Sequence, residues 1–157
     1  SGDPARLIHW KVSAKAREVV VREFEREEKR RVTLVLDNAA PAETAQAFEW
    51  AVVYTASLCK HLIDEDYQVQ LVTRLGRVPF GTGGPHMSRL LRSLAIVELQ
   101  PEASEPLRPH FARSGESTTL AIRFHDGPLP AGAFDQVVDT VSWRPDSMPA
   151  PPLARVA

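Results

Sequence analysis

The chain has 157 residues, of which 43% are hydrophobic and 25% are charged, as is typical of one soluble globular domain. Its formal net charge of −1 excludes a global positive field that would attract nucleic acid or an anionic membrane. The single cysteine, Cys59, excludes an internal disulfide and a cysteine-based zinc site.

A helix and a strand are predicted before the first strongly apolar run. Asp3-Pro4 is a good helix start, because aspartate caps a helix and proline fits its first position. Three consecutive valines and a phenylalanine favour a strand over residues 17–25, although the neighbouring Glu and Arg residues would also suit a helix. We predict a strand there and a polar turn before Val32.

The next two elements are a short strand and a long helix. VTLVLD at residues 32–37 predicts a central strand that is buried on both faces. Residues 43–65 predict an amphipathic helix. Its apolar stripe comprises Phe48, Val52, Thr55, Cys59 and Leu62. We interpret Cys59 as a small core residue rather than a nucleophile because it lies in this stripe.

The middle of the chain contains two strands, a glycine loop and a second helix. VQLVTR at residues 69–74 predicts a strand, and residues 76–81 predict a turn and a short edge strand, where proline is tolerated. Gly81, Gly83 and Gly84 predict a loop. A helix with apolar residues at helical spacing is predicted from Pro85 onward.

The last third predicts two further strands, at residues 117–124 and 135–143. Residues 144–157 contain four prolines and few large apolar side chains, so we expect a disordered tail. Strands that alternate with helices imply an α/β fold with a mostly parallel sheet and helices on both faces.

Two aspartates follow predicted strands and are the strongest candidates for a site. Asp37 ends the run at residues 32–37, and Asp126 lies in FHDG. Together they could bind a hard cation such as magnesium, if their strands are neighbours. Alternatively, Asp37 accepts backbone N–H bonds or caps the next helix, and Asp126 belongs to an Asp-Gly turn. Ala39, Ala40 and Pro41 supply no side-chain oxygen, so we expect no metal.

No other motif indicates catalysis or a cofactor. GTGGP at residues 81–85 lacks the Gly-Lys-Ser/Thr ending of a phosphate-binding loop and is interpreted as a turn. The five histidines form no metal-binding pair, and no nucleophile elbow is present. We therefore expect a protein without enzymatic activity and without a cofactor.

Two stretches resemble the bacterial family called domain of unknown function fifty-eight. The first is GDPARLIHWKVSAKAREVVVREFERE at residues 2–27, followed by VTLVLD. The second is GGPHMSRLLRSLAIVE at residues 83–98. The first motif is long and fairly specific, and the resemblance covers most of residues 2–100.

The resemblance implies a doubly wound, von Willebrand factor A-like fold over residues 32–143, after a family-specific segment at 1–31. Related A domains hold a metal through Asp-x-Ser-x-Ser, a threonine before a later helix, and an aspartate after the fourth strand. These positions correspond here to Asp37 with Ala39 and Pro41, to Pro85, and to Asp126. The hydroxyls are missing, so the resemblance implies a degenerate metal site.

Family members are often membrane-anchored and encoded beside MoxR-type AAA+ ATPases. We therefore expect this chain to be a truncated part of an anchored protein, at the cytoplasmic face of the membrane, that binds such an ATPase without catalysing a reaction. By analogy of fold, the partner-binding face comprises Asp37, Asn38, Glu43, Gly83, Gly84, His86 and Asp126. The alternatives are a magnesium- or manganese-dependent ligand-binding domain that uses Asp37 and Asp126, and a hydrolase whose active site needs the upstream part.

Overall fold

The computed structural model describes residues 30–101, 105, 107, 117–129 and 134–146, together with the backbone of Leu153–Ala154. The helix and the strand that are predicted before Val32 lie outside the described residues. So do residues 102–104, 106 and 108–116.

The described residues form one mixed sheet. Its strands are β1 (Arg31–Leu36), β2 (Gln68–Thr73), β3 (Gly76–Gly81), β4 (Thr118–Arg123), β5 (Gln136–Asp139) and the two-residue β6 (Leu153–Ala154). Their order across the sheet is β3-β2-β1-β4-β5-β6. β1 pairs in parallel with β2 and β4, and β4 pairs in parallel with β5. β3 and β6 are antiparallel to their neighbours. The predicted α/β class with a mostly parallel sheet is thus confirmed.

Two helices, α1 (Ala45–Asp64) and α2 (Gly83–Ile96), pack side by side on one face of this sheet. A 3-10 turn at Ala42–Thr44 leads into α1. The main core contains Leu34 of β1, Leu58 of α1 and Leu90 of α2, all fully buried. Four members of the predicted α1 stripe are buried, whereas Val52 is only partly buried and Ala51 and Leu58 are fully buried in its place.

The opposite face of the sheet is also buried. Val35, Val72, Ala121 and Val137 form its apolar row, against which Phe134, Leu107 and Leu129 pack. Both described helices lie on the first face, so helices on the second face stay a prediction. Burial on both faces explains why β1 is apolar along almost its whole length.

Three local predictions differ from the structure. Gly83 and Gly84 open α2 rather than a loop, and Thr82 precedes the helix in an extended conformation. The last predicted strand is shorter than expected, since β5 ends at Asp139, whose carboxylate accepts a hydrogen bond from the Val141 N–H and starts a turn. In the tail, where we expect disorder, Leu153–Ala154 pair with β5.

In the described part of the chain, no helix has both the length and the apolarity for a membrane span.

Candidate functional site

The carboxyl edge of the sheet, where β1 and β2 end, holds a charged pair. Asp37 follows β1 and Arg74 follows β2, each two residues beyond the register partners Val35 and Val72. The Arg74 Nε donates to Asp37 Oδ1 at 2.6 Å, and Nη2 donates to Oδ2 at 3.2 Å. Both side chains are largely shielded, with 17% of Arg74 and 16% of Asp37 exposed. The guanidinium therefore neutralises this carboxylate in a two-pronged geometry.

The next residue, Asn38, ties three segments together. Its Nδ2 donates to the Glu98 carbonyl at 2.7 Å, and its Oδ1 accepts the Arg74 backbone N–H at 2.9 Å. The side chain is buried, so both ends of the amide are used inside the protein. Asn38 is thus part of the framework of this edge and does not present its side chain to a partner.

The chain after α2 runs beside the residues that follow β1. The Gln100 N–H donates to the Asn38 carbonyl at 2.7 Å, and the Ala40 N–H donates to the Gln100 carbonyl at 3.1 Å. Ala39 and Gln100 form an isolated parallel bridge. The protein's own backbone therefore occupies the position directly beside Asp37.

Asp126 lies at the same edge, after β4, the other parallel neighbour of β1. Its side chain is 94% exposed and reaches the Arg123 guanidinium at 4.0 Å. Glu43 is exposed in the 3-10 turn that follows Ala40. Asp37, Glu43 and Asp126 are therefore on one edge, as predicted, but only Glu43 and Asp126 project freely into solvent.

Gly83, Gly84 and His86 do not join this face. β3 is antiparallel to β2 and pairs Gly81 with Val69, near the start of β2. A six-residue strand spans about 20 Å. The antiparallel β3 thus carries the chain back to the amino edge before α2 begins. These three residues therefore lie at the edge opposite Asp37, and so does Pro85, the threonine-equivalent position.

His86 has a structural role at that amino edge. It is buried, and its Nε2 lies 2.7 Å from the Val69 carbonyl oxygen, a distance at which a protonated Nε2 donates. A Cβ at Gly81 would stand 2.6 Å from His86 Nδ1. The glycine therefore gives the imidazole the room to reach β2.

A comparison with protein-family models identifies the family of this chain. The family described as "Protein of unknown function DUF58" matches residues 1–120, well over half of the chain. The chain belongs to the DUF58 family. No curated protein matches it, and no solved structure does. The resemblance in the sequence is thus confirmed, while the family description assigns no activity.

The carboxyl edge of this DUF58 protein does not fit a metal ion. Both oxygens of Asp37 are engaged by Arg74, and Oδ1 also accepts the Ala39 N–H at 3.2 Å. Within the described residues, no group of three or more His, Cys, Asp or Glu side chains could hold a metal. The interpretation that Asp37 accepts a loop N–H is confirmed.

Burial makes the Cys59 thiol a weak acid and hence a poor nucleophile. The side chain is fully buried between α1 and the rest of the main core. Desolvation raises the pKa of the Cys59 thiol from 9.0 to about 12, against a smaller lowering by a backbone hydrogen bond. A neutral buried thiol is a poor nucleophile, so its interpretation as a core residue is confirmed.

Sequence reasoning missed Arg74 and the segment at residues 98–100. A signal for Arg74 was available, because two neighbouring parallel strands end in side chains of opposite charge, VTLVLD and VQLVTR. The segment at residues 98–100 contributes mainly backbone atoms to this edge. Such atoms leave no pattern in the sequence.

Proposed function

We propose that this chain is a non-catalytic protein-interaction domain of a membrane-anchored bacterial protein. It acts at the cytoplasmic face with a MoxR-type AAA+ ATPase, in assembly or remodelling of the cell envelope. The observation that carries the proposal is the Asp37–Arg74 pair. A carboxylate at the edge where α/β proteins bind ligands is committed to holding two strands together.

The order of the strands supports a von Willebrand factor A-like, doubly wound fold as part of this proposal. β1 is flanked by β2 on one side and by β4 on the other, so the chain adds β2 and β3 to one side of β1 and β4 and β5 to the other. Such a switch point in an open parallel sheet is where ligands bind, outside the carboxyl ends of the strands. Asp37 and Asp126 follow the two strands at this point.

We place the docking face at the switch point, on fewer residues than the sequence predicts. It retains Glu43 and Asp126, which are exposed, and the rim of the Asp37–Arg74 pair. Leu75, in the turn after β2, adds an apolar side chain that is 53% exposed. A rigid edge with exposed carboxylates and one apolar group suits a protein partner.

Co-purification with the MoxR-type ATPase encoded beside the full-length protein tests the proposal. We expect a complex with the full-length protein, and weaker recovery after Asp126→Lys or Leu75→Ser. Asp64→Lys is a matched control, because Asp64 is exposed at the last residue of α1, just before β2 begins, and therefore lies at the opposite edge of the sheet. Failure of the full-length protein to bind the ATPase contradicts the proposal.

A metal-dependent ligand-binding domain is the second candidate, since Asp37 and Asp126 do end neighbouring parallel strands. It requires Arg74 to release Asp37. Calorimetric titration of the protein with magnesium and manganese decides between the two. Heat of binding together with a rise in melting temperature at millimolar metal would favour this candidate, because a ligand selective for the native state stabilises it.

A further inference from the structure

The outer side of α2 carries an exposed stripe that the fold does not use. Pro85, Arg89, Arg92 and Ile96 follow each other at intervals of four, three and four residues, so they lie along one side of the helix. All four are exposed, and Ile96 has 60% of its surface in solvent. Met87, Leu90 and Leu94, on the opposite side of α2, hold the helix on the core.

No described residue neutralises the charge of this α2 stripe. α2 contains no Asp or Glu, and neither Arg89 nor Arg92 makes an ion pair or hydrogen bond in the part of the chain that is described. Two basic side chains on other elements are paired instead: Lys60 with Asp64, and Arg74 with Asp37. Among the described residues, two guanidiniums without an ionic partner therefore lie along the same side of α2 as an exposed isoleucine.

We propose that the α2 stripe docks an acidic, amphipathic segment of a protein partner. Carboxylates of that segment pair with Arg89 and Arg92, and an aliphatic side chain covers Ile96. This inference rests on the proposed function, because it names the chemistry by which the partner ATPase is held. The guanidinium fork suits carboxylates in a two-pronged geometry.

The position of Ile96 connects the stripe to the edge described above. Two residues later, the Glu98 carbonyl accepts the hydrogen bond from Asn38, whose own amide oxygen binds the Arg74 N–H. Leu75, which is exposed, follows Arg74 directly. The carboxyl-terminal end of α2 and the β2–β3 turn therefore belong to one edge, and a partner segment that runs along α2 ends there.

A lipid surface fits the α2 stripe less well. A helix that lies on a membrane inserts its apolar side between the lipids. In α2 that side, with Met87, Leu90 and Leu94, is committed to the protein core. Stable attachment to anionic lipids uses a cluster of four or more basic residues, whereas the stripe offers two.

The test measures affinity of the full-length protein for the neighbouring MoxR-type ATPase by biolayer interferometry at about 50 and 300 mM salt. We expect Arg89→Glu and Arg92→Glu each to weaken binding at least tenfold and to flatten its salt dependence. Lys60→Glu is the matched control, because Lys60 is exposed near the carboxyl end of α1, at the opposite edge of the sheet from Leu75, and the change of charge is the same. Circular dichroism checks that each variant is folded.

The outcomes separate the two proposals. If the wild-type protein binds and the α2 variants bind equally well, the docking of an acidic segment on α2 is overturned while the proposed function stands. Absence of binding by the wild-type protein overturns both. Vesicles of phosphatidylcholine with about 30% phosphatidylserine form a separate arm, and Arg89- and Arg92-dependent binding there without ATPase binding assigns the stripe to lipid and overturns the inference.

Discussion

The Asp37 carboxylate and the Arg74 guanidinium form an ion pair that links the carboxyl ends of the parallel strands β1 and β2, with 2.6 Å between Oδ1 and Nε. The register of β1 on β2 brings them together, since each lies two residues past a paired valine. Arg74 Nη2 also donates to the Glu105 carbonyl at 3.0 Å, so the pair fastens a later segment as well. The Arg74 guanidinium thus takes the place beside Asp37 that a metal cation could have occupied.

Arg74→Ala should destabilise the protein by roughly 1–3 kcal/mol, because it leaves the shielded Asp37 carboxylate without its partner. Urea unfolding followed by circular dichroism measures this loss. The control is Lys60→Ala, which removes an ion pair with Asp64 whose side chains are 63% and 56% exposed. Exposed pairs of this kind contribute only about 0.3–0.5 kcal/mol.

A double-mutant cycle with Asp37→Ala separates the pair from other effects of removing Arg74. We expect a coupling between Asp37 and Arg74 of about 1 kcal/mol or more. A coupling near zero would show that the guanidinium stabilises the edge through Glu105 alone.

Asn38→Ala should cost roughly 2–4 kcal/mol, since it removes two hydrogen bonds and leaves the Glu98 carbonyl and the Arg74 N–H without partners. Thermal unfolding measures the loss. Asn38→Asp is the informative companion, because a carboxylate can accept from Arg74 but cannot donate to Glu98. Stability of Asn38→Asp equal to that of the wild type would mean that the bond to Glu98 contributes nothing.

Gly81→Ala should destabilise the protein by roughly 1–3 kcal/mol, because the new Cβ would meet the His86 ring at 2.6 Å and push it from Val69. Gly84→Ala is the matched control. A Cβ there meets nothing within 4 Å, and the residue is helical, so we expect a gain of about 0.5–1 kcal/mol. Equal stabilities of the two variants would contradict the close packing of His86.

Cys59 should make stability fall with rising pH. Its folded pKa, about 12, exceeds its ordinary value of 9.0 because of burial. The unfolded thiol therefore ionises first, and the stabilisation present below pH 9 is lost progressively toward pH 12. Between pH 9 and 10 the loss is about 1 kcal/mol.

The measurement is urea unfolding at pH 8, 9 and 10, with Cys59→Ala for comparison. We expect a smaller pH dependence of the unfolding free energy in the variant. The window stops at pH 10 because burial also raises the pKa of Tyr54, which adds a similar dependence at higher pH. Identical dependence in both proteins would contradict the assignment to Cys59.

The order of the described elements could be predicted from local patterns. Apolar runs such as VTLVLD and VQLVTR are long enough for a buried strand and too short for a core helix. The spacing of apolar residues predicted α1, and a proline within a β-rich run indicated the edge position of β3. The family motif was readable too, because it is a continuous stretch of residues.

The candidate site depended on information that is not local. Gly83 and His86 lie at the edge opposite Asp37 because β3 runs antiparallel to β2, a direction that the two-residue connection requires and that our prediction of the partner face did not take into account. The sequence by itself determined the α/β class, the family, and the loss of the hydroxyls after Asp37. Only the tertiary structure placed Arg74 on Asp37, because strand register brings together side chains that are 37 residues apart.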